Sequence, residues 1–254
     1  IEPVPNITAA SAEKAYSTGY ALRKGGSFYQ NQCGNGQSYT GSITFRAVEA
    51  LLNYIEACYE KSGTIDSKAD EYWRAIRTRA GVDPDYSKTI TATDMSKEAL
   101  NDWGAYSKGV LLNPTLYNIR RERRNELMAE GLRYMDLRRW RAMDQMINNP
   151  YHIEGIKIWG EMQNWYKNDD GSSQLIYGTD KANVSSPERS MYLRPYEKVS
   201  TSLVYNGYKW SMAHYLQPIA VQHFLITASD GKTVSTSPIY QNPGWPTVAG
   251  EGAK

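Results

Sequence analysis

The sequence predicts a mainly α-helical protein: helical hairpins of tetratricopeptide-like type with a long loop-rich region packed on them. Three observations carry this. Apolar residues recur at three- and four-residue spacing between Thr44 and Ile147, glycines and prolines punctuate that stretch, and after Asn148 the periodicity gives way to Gly, Asn, Ser, Asp and Tyr. A chain of 254 residues can bury a substantial core. Residues 1–41 are expected to be an extended or loop lead-in, 42–147 a helical core, and 148–254 a loop-rich C-terminal region ending in an extended tail.

Each element has a local reason. The lead-in is rich in Pro, Gly, Ser, Asn and Gln, with a short extended piece expected around Tyr20–Lys24. From Thr44, the positions of Phe45, Val48, Leu51, Leu52, Ile55 and Tyr59 trace one face of a helix that Gly63 is placed to end. Ser67 with Asp70 marks the next start, Ala69, Tyr72, Trp73 and Ile76 form its buried stripe, and Gly81 stops it. Joined by a short turn, the two helices make a hairpin about the size of one tetratricopeptide unit. A weaker helical stretch covers Met95 to Lys108, broken by Gly104. Asn113 then caps, and Pro114 opens, a long Arg-rich helix reaching Ile147. Gly131 inside it costs about 1 kcal/mol relative to Ala, so it either admits a neighbouring helix or marks a bend. Beyond Asn148 a helix-length pattern survives only at Ile156 to Tyr166, and Trp245 is expected to anchor a tail whose last residues are mobile.

The Arg-rich helix holds Arg120, Arg121, Arg123, Arg124, Arg133, Arg138, Arg139 and Arg141 beside Glu122, Glu126, Glu130, Asp136 and Asp144. Glu126 lies three residues from Arg123, and Glu130 three from Arg133, each on one helical face. Acid–base catalysis by Glu122, Glu126 or Glu130 is disfavoured, because a cation within one turn favours a fixed anion over a general acid. A phosphate-binding face is disfavoured by the interleaved acids and a net charge of only +2, so no nucleic acid is expected as partner. What remains is a structural charge network of Glu122, Arg123, Glu126, Glu130, Arg133, Asp136 and Arg139, tying the helix to its neighbours through planar guanidinium forks.

The order of these residues resembles a family signature. The run ERRNELMAEGLRYMDLRRW is similar to that of the SusD/RagB family of glycan-binding outer-membrane lipoproteins, met here by Glu122-Arg123, Glu126-Leu127, Glu130-Gly131, Arg133, Asp136-Leu137 and Arg139-Trp140. Phe45 to Gly63, Tyr20 to Lys24, Tyr215 to Thr227 and Gln241 to Trp245 resemble further stretches of the family in the same order. The resemblance implies tetratricopeptide-like repeats and a single C-terminal domain over 42–254. Family members are about twice as long and begin with an export signal and a lipidated cysteine, so the chain is expected to be the C-terminal half of such a protein. It also implies capture of an oligosaccharide or starch-like polysaccharide at the outer-membrane surface of a Bacteroidetes-type bacterium. The sugar would pass to a TonB-dependent outer-membrane transporter as part of polysaccharide utilization, without catalysis. The expected partners are then the glycan, the transporter and the N-terminal half of the same protein.

The residues lean the same way. Tyr and Trp number 20 and 7 against 3 Phe, a bias toward rings with a flat apolar face and a polar edge. WGEMQNWYKNDDG, from Trp159 to Gly171, sets rings beside amides and carboxylates, the chemistry of a surface that stacks on a pyranose and bonds its hydroxyls. Trp159, Trp165, Tyr166 and Tyr177 are the candidate glycan-binding residues. Two other classes stay open: a helical-repeat scaffold for protein partners without a sugar site, and a glycoside hydrolase, which would need two unpaired carboxylates roughly 5–10 Å apart across a cleft.

No cofactor and no metal are expected. Cys33 and Cys58 lack metal-like spacing, with a bridge between them left open, and His152, His214 and His223 are scattered. Asp169-Asp170-Gly171 lacks the alternating ligands of a calcium loop, and Asn183-Val184-Ser185 fits a glycosylation sequon only in a eukaryotic secretory setting. No apolar run approaches the ~20 residues needed to span a bilayer.

Overall fold

The computed structural model describes residues 4–8, 16–41, 43–100, 102–248 and 250–254, and it is mainly helical, with seven α-helices and one two-stranded sheet among them. Residues 1–3 and 9–15 of the expected lead-in lie outside the described residues. The chain forms two compact units, one from Ile1–Thr40 and Asn148–Lys209, the other from Gly41–Ile147 and Trp210–Lys254.

In the helical unit, α1 (Ala47–Ser62) begins later than the apolar spacing suggests, because Arg46 is extended and Phe45 is exposed. Gly63, at φ 70°, closes it by donating its N–H to the Tyr59 carbonyl. The start of α2 (Ser67–Arg79) is fixed by Asp66, whose carboxylate accepts the Ala69 N–H at 2.7 Å. α3 (Tyr86–Ala92) and α4 (Met95–Glu98) are short, and α5 (Pro114–Glu126) is capped by Asn113, which accepts the Leu116 N–H at 3.0 Å. Leu52 and Ile55 of α1, Ala69, Trp73 and Ile76 of α2, and Ile119 of α5 form the core, where Tyr86 stacks on Trp73 with ring centres 4.0 Å apart.

Two expectations are corrected here. The helical stretch from Met95 to Lys108 ends after one turn. Asp94 and Asp102 take up backbone N–H groups of Ser96 and Gly104, offering the chain an alternative to helix. A 3-10 turn at Trp103–Ala105 follows, and then a minimal hairpin of β1 (Tyr106–Ser107) and β2 (Val110–Leu111), turned by Lys108 and Gly109 at φ 50° and 79°.

The long Arg-rich helix is likewise not continuous. Ala129 and Gly131 sit at φ 63° and 78°, which a right-handed helix cannot accommodate, so the chain bends between α5 and α6 (Arg133–Arg139). Arg141, at φ 52°, ends that helix ahead of a 3-10 turn at Asp144–Ile147. A Cβ at Gly131 would meet nothing within 4 Å, so this glycine serves the bend and not a close helix approach.

The closing segment of this unit contains α7 (Val221–Thr227). The Trp245 indole N–H donates to the carbonyls of Ala213 and Leu216 at 2.9 and 3.1 Å. Lys254, expected to be mobile, is tied by its N–H to the Gly244 carbonyl and by its carbonyl to Ser211.

The loop-rich unit is built from irregular chain around Ile7, Ile156, Ile158, Trp159, Leu175, Val184 and Leu193. Backbone bonds join Ile156 to Thr18 and Leu193, and Gly155 to Leu193. The helix expected over Ile156 to Tyr166 is reduced to a 3-10 turn at Glu161–Trp165, because Gly160 adopts φ 138°, ψ −139°, a conformation open essentially to glycine alone. The piece around Tyr20–Lys24 is irregular and runs into a turn.

These glycines make opposite demands. A Cβ on Gly155 would stand 2.0 Å from the Thr18 carbonyl oxygen. Gly155→Ala is expected to lower stability by about 1–3 kcal/mol or more through steric conflict, and Gly131→Ala by about 1 kcal/mol through backbone strain alone. Urea denaturation of both variants measures the difference; equal losses would mean that the Thr18 contact does not matter.

Candidate functional site

Gly160, at φ 138°, ψ −139°, separates buried Trp159 from the largely exposed turn Glu161–Trp165. Trp159 is buried, donating its indole N–H to the Ser185 carbonyl at 3.1 Å, with Tyr177 edge-on to it at 4.9 Å. Tyr166 is also buried and donates its hydroxyl to the Pro5 carbonyl at 2.7 Å; burial raises its pKa above that of an ordinary tyrosine. Trp165 and Tyr177 are different: they stay 56% and 43% exposed.

Beyond Tyr166 the chain folds back on itself. Asp170 accepts the N–H and hydroxyl of Ser172 at 2.9 and 2.6 Å, so it shapes a turn. That turn returns Gln174 alongside Tyr166, its N–H on the Tyr166 carbonyl at 2.9 Å. Trp165 and Tyr166 consequently share a groove of about 270 Å³ with Pro5, Asn6, Thr8 and Gln174. This is slightly smaller than the sites that hold drug-sized ligands, and an exposed indole lies there beside two amides and a hydroxyl. Asn183 is engaged within the fold, donating to the Gln174 carbonyl at 2.9 Å and accepting the Ile176 N–H at 2.8 Å.

The charged residues occupy the helical unit. Glu122 accepts from the Trp73 indole and from Arg77, both at 2.9 Å. Glu126 binds Arg46 and Arg79, and Glu130 binds Arg46 at 2.6 Å. Arg123 and Asp136, both buried, meet at 2.7 Å, and Arg123 also bonds Asn53 at 2.7 Å. Arg133 pairs with Asp102 at 2.6 Å. Arg139 bonds Asp136 at 2.9 Å and forks onto Glu56 at 2.6 and 2.7 Å. These bonds run mainly between segments distant in sequence, whereas the spacing had suggested pairs within one helix.

Glu56, Asp102 and Arg46 were not singled out from sequence. Glu56 had a signal: it is an acid inside the apolar stripe Leu52, Ile55, Tyr59. Burial pushes its carboxyl up, but Arg139 and the Trp140 indole outweigh that and hold it below the usual carboxylate range. Among the described residues no group of three or more His, Cys, Asp and Glu is placed to hold a metal ion, and no helix is long and apolar enough to cross a membrane. Both cysteines are free thiols.

Residues 5–245, nearly the whole chain, match the SusD family, whose members bind carbohydrate in nutrient uptake and carry out no catalysis. No curated protein and no solved structure matches the chain.

The network sets a pH dependence. With its folded pKa below the unfolded value of about 4.3, Glu56 contributes stability that is fully present above that value and lost as pH falls through the folded one. Denaturation midpoints of the native chain are expected to fall from pH 6 to pH 3, and Glu56→Gln to flatten that slope while lowering the neutral-pH midpoint. An unchanged slope in the variant would remove Glu56 from this role.

Proposed function

The chain belongs to the SusD family, and from that premise we propose that it captures an oligosaccharide at the outer face of the bacterial outer membrane and delivers it to a TonB-dependent transporter. The observation that carries the site is Trp165, exposed in a loop beside Asn6, Thr8 and Gln174. An indole face stacks on the apolar face of a pyranose, and the amides and hydroxyl bond its equatorial groups. Tyr177, edge-on to buried Trp159, offers a second exposed ring outside that groove, while buried Tyr166 lines the groove and is held by the Pro5 carbonyl. Stacking and hydroxyl bonds of this kind support micromolar to millimolar affinity, roughly 4–8 kcal/mol.

Capture breaks no bond. The acids of the central helices lie against arginines and an indole. A hydrolase needs a carboxylate free to hold and release a proton.

Calorimetric titration with a panel of neutral oligosaccharides, malto-oligosaccharides included, tests this. The native chain is expected to bind at least one of them, and Trp165→Ala to weaken that binding about tenfold, or 1.4 kcal/mol, with an unchanged unfolding midpoint. Binding of no member, or equal binding by the variant, favours a protein-binding scaffold. Release of shorter sugars from the panel would instead reveal an enzyme.

A further inference from the structure

Four steps in the sequence set a glycine directly after an aspartate or asparagine: Asn35-Gly36, Asp170-Gly171, Asn206-Gly207 and Asp230-Gly231. At such a step the glycine nitrogen can attack the side-chain carbonyl carbon, since no Cβ crowds the five-membered ring that forms. The attack needs a nitrogen that is not already engaged and a carbonyl carbon that can lose its leaving group.

The fold closes three of the four. The N–H groups of Gly171, Gly207 and Gly231 donate to the carbonyls of Asn168, Val204 and Ala228 at 2.9, 2.9 and 3.1 Å. Hydrogen bonds from Ser172 and from Thr233 also hold the Asp170 and Asp230 carboxyls below the usual carboxylate range, and an ionised carboxylate is a poor electrophile. Gly207 is buried as well, and a Cβ there would stand 2.9 Å from Pro150.

Asn35-Gly36 differs on every count. Both residues are exposed, and a Cβ on Gly36 would meet nothing within 4 Å. Gly36 sits at φ 74° in a turn closed by the Gln37 N–H on the Gly34 carbonyl at 3.1 Å. That bond passes over the Gly36 N–H, which makes no hydrogen bond among the described residues, and neither does the Asn35 side-chain amide.

We propose that Asn35 is a self-modification site, converted to aspartate and isoaspartate through a succinimide formed with Gly36. The Gly36 nitrogen bonds to the Asn35 Cγ, the Cγ–Nδ2 bond breaks, and the glycine proton leaves with the amide as ammonia. Water, the sole co-reactant, then opens the ring at either carbonyl. One opening leaves an aspartate side chain, and the other leaves isoaspartate, which adds a methylene to the main chain of the turn. Either product puts a carboxylate into residues 14–48, where the sequence has no acid, and lowers the net charge of +2 by one. The site does not depend on the carbohydrate reading.

Peptide mapping by mass spectrometry of the 254-residue chain, held at mildly alkaline pH, tests this. A gain of about 1 Da is expected at Asn35, accumulating about tenfold faster than at Asn206, whose neighbouring nitrogen is bonded. In concentrated urea the two Asn-Gly steps should react at similar rates, because the fold alone distinguishes them. Asn35→Gln should abolish the gain in that peptide and leave the unfolding midpoint in place. No gain at Asn35, equal rates in the folded chain, a difference that persists in urea, or a gain that survives Asn35→Gln overturns the proposal.

Discussion

The helical unit depends on one buried chain of charge. Arg123 on α5 meets Asp136 on α6, Asp136 meets Arg139, and Arg139 forks onto Glu56 of α1, whose carboxylate also takes the Trp140 indole N–H. Each carboxylate here is out of water and would be expensive alone, so it stays charged only while its arginine remains in place. Three helices are therefore held in one register. A bidentate arginine–carboxylate pair adds direction to the apolar packing, because two N–H groups must meet two oxygens at once. Such a network is no proof of net stability, since well-packed apolar residues could do as well. What it supplies is a single allowed arrangement.

The loop-rich unit solves a different problem. With almost no regular structure, its backbone groups are satisfied by scattered pairs such as Ile156 with Thr18 and Tyr151 with Tyr208. Buried Glu197 ties distant parts of the chain together by accepting from His152, Arg189 and Arg194. Loops fixed this way can hold an exposed ring without the ring helping to hold them. This frees Trp165 for a ligand, while Trp159 and Tyr166 stabilise the fold.

The candidate groove follows from the loop construction. It is amide-lined and set on backbone that other contacts hold in place, so its indole is left open to solvent.

The helical hairpin, the caps at Asn113 and Gly63, and the family itself were legible in the residues, because apolar period, capping chemistry and motif order are local properties of the chain. The exposed state of Trp165 and the buried state of Trp159 were not. Trp159 follows Ile156 and Ile158 and Trp165 follows Gln163 and Asn164, but no helical period covers both, and the turn at Gly160 that separates them has dihedral angles no periodicity reveals. The break at Ala129–Gly131 and the partners of Glu126, Glu130 and Arg139 were equally hidden, since arginines spaced along one helix fit local and distant acids alike. Sequence determined which charges had to be neutralised. Tertiary structure decided by whom, because an ion pair is selected by distance in space and the chain brings Glu56 to Arg139 across 83 residues.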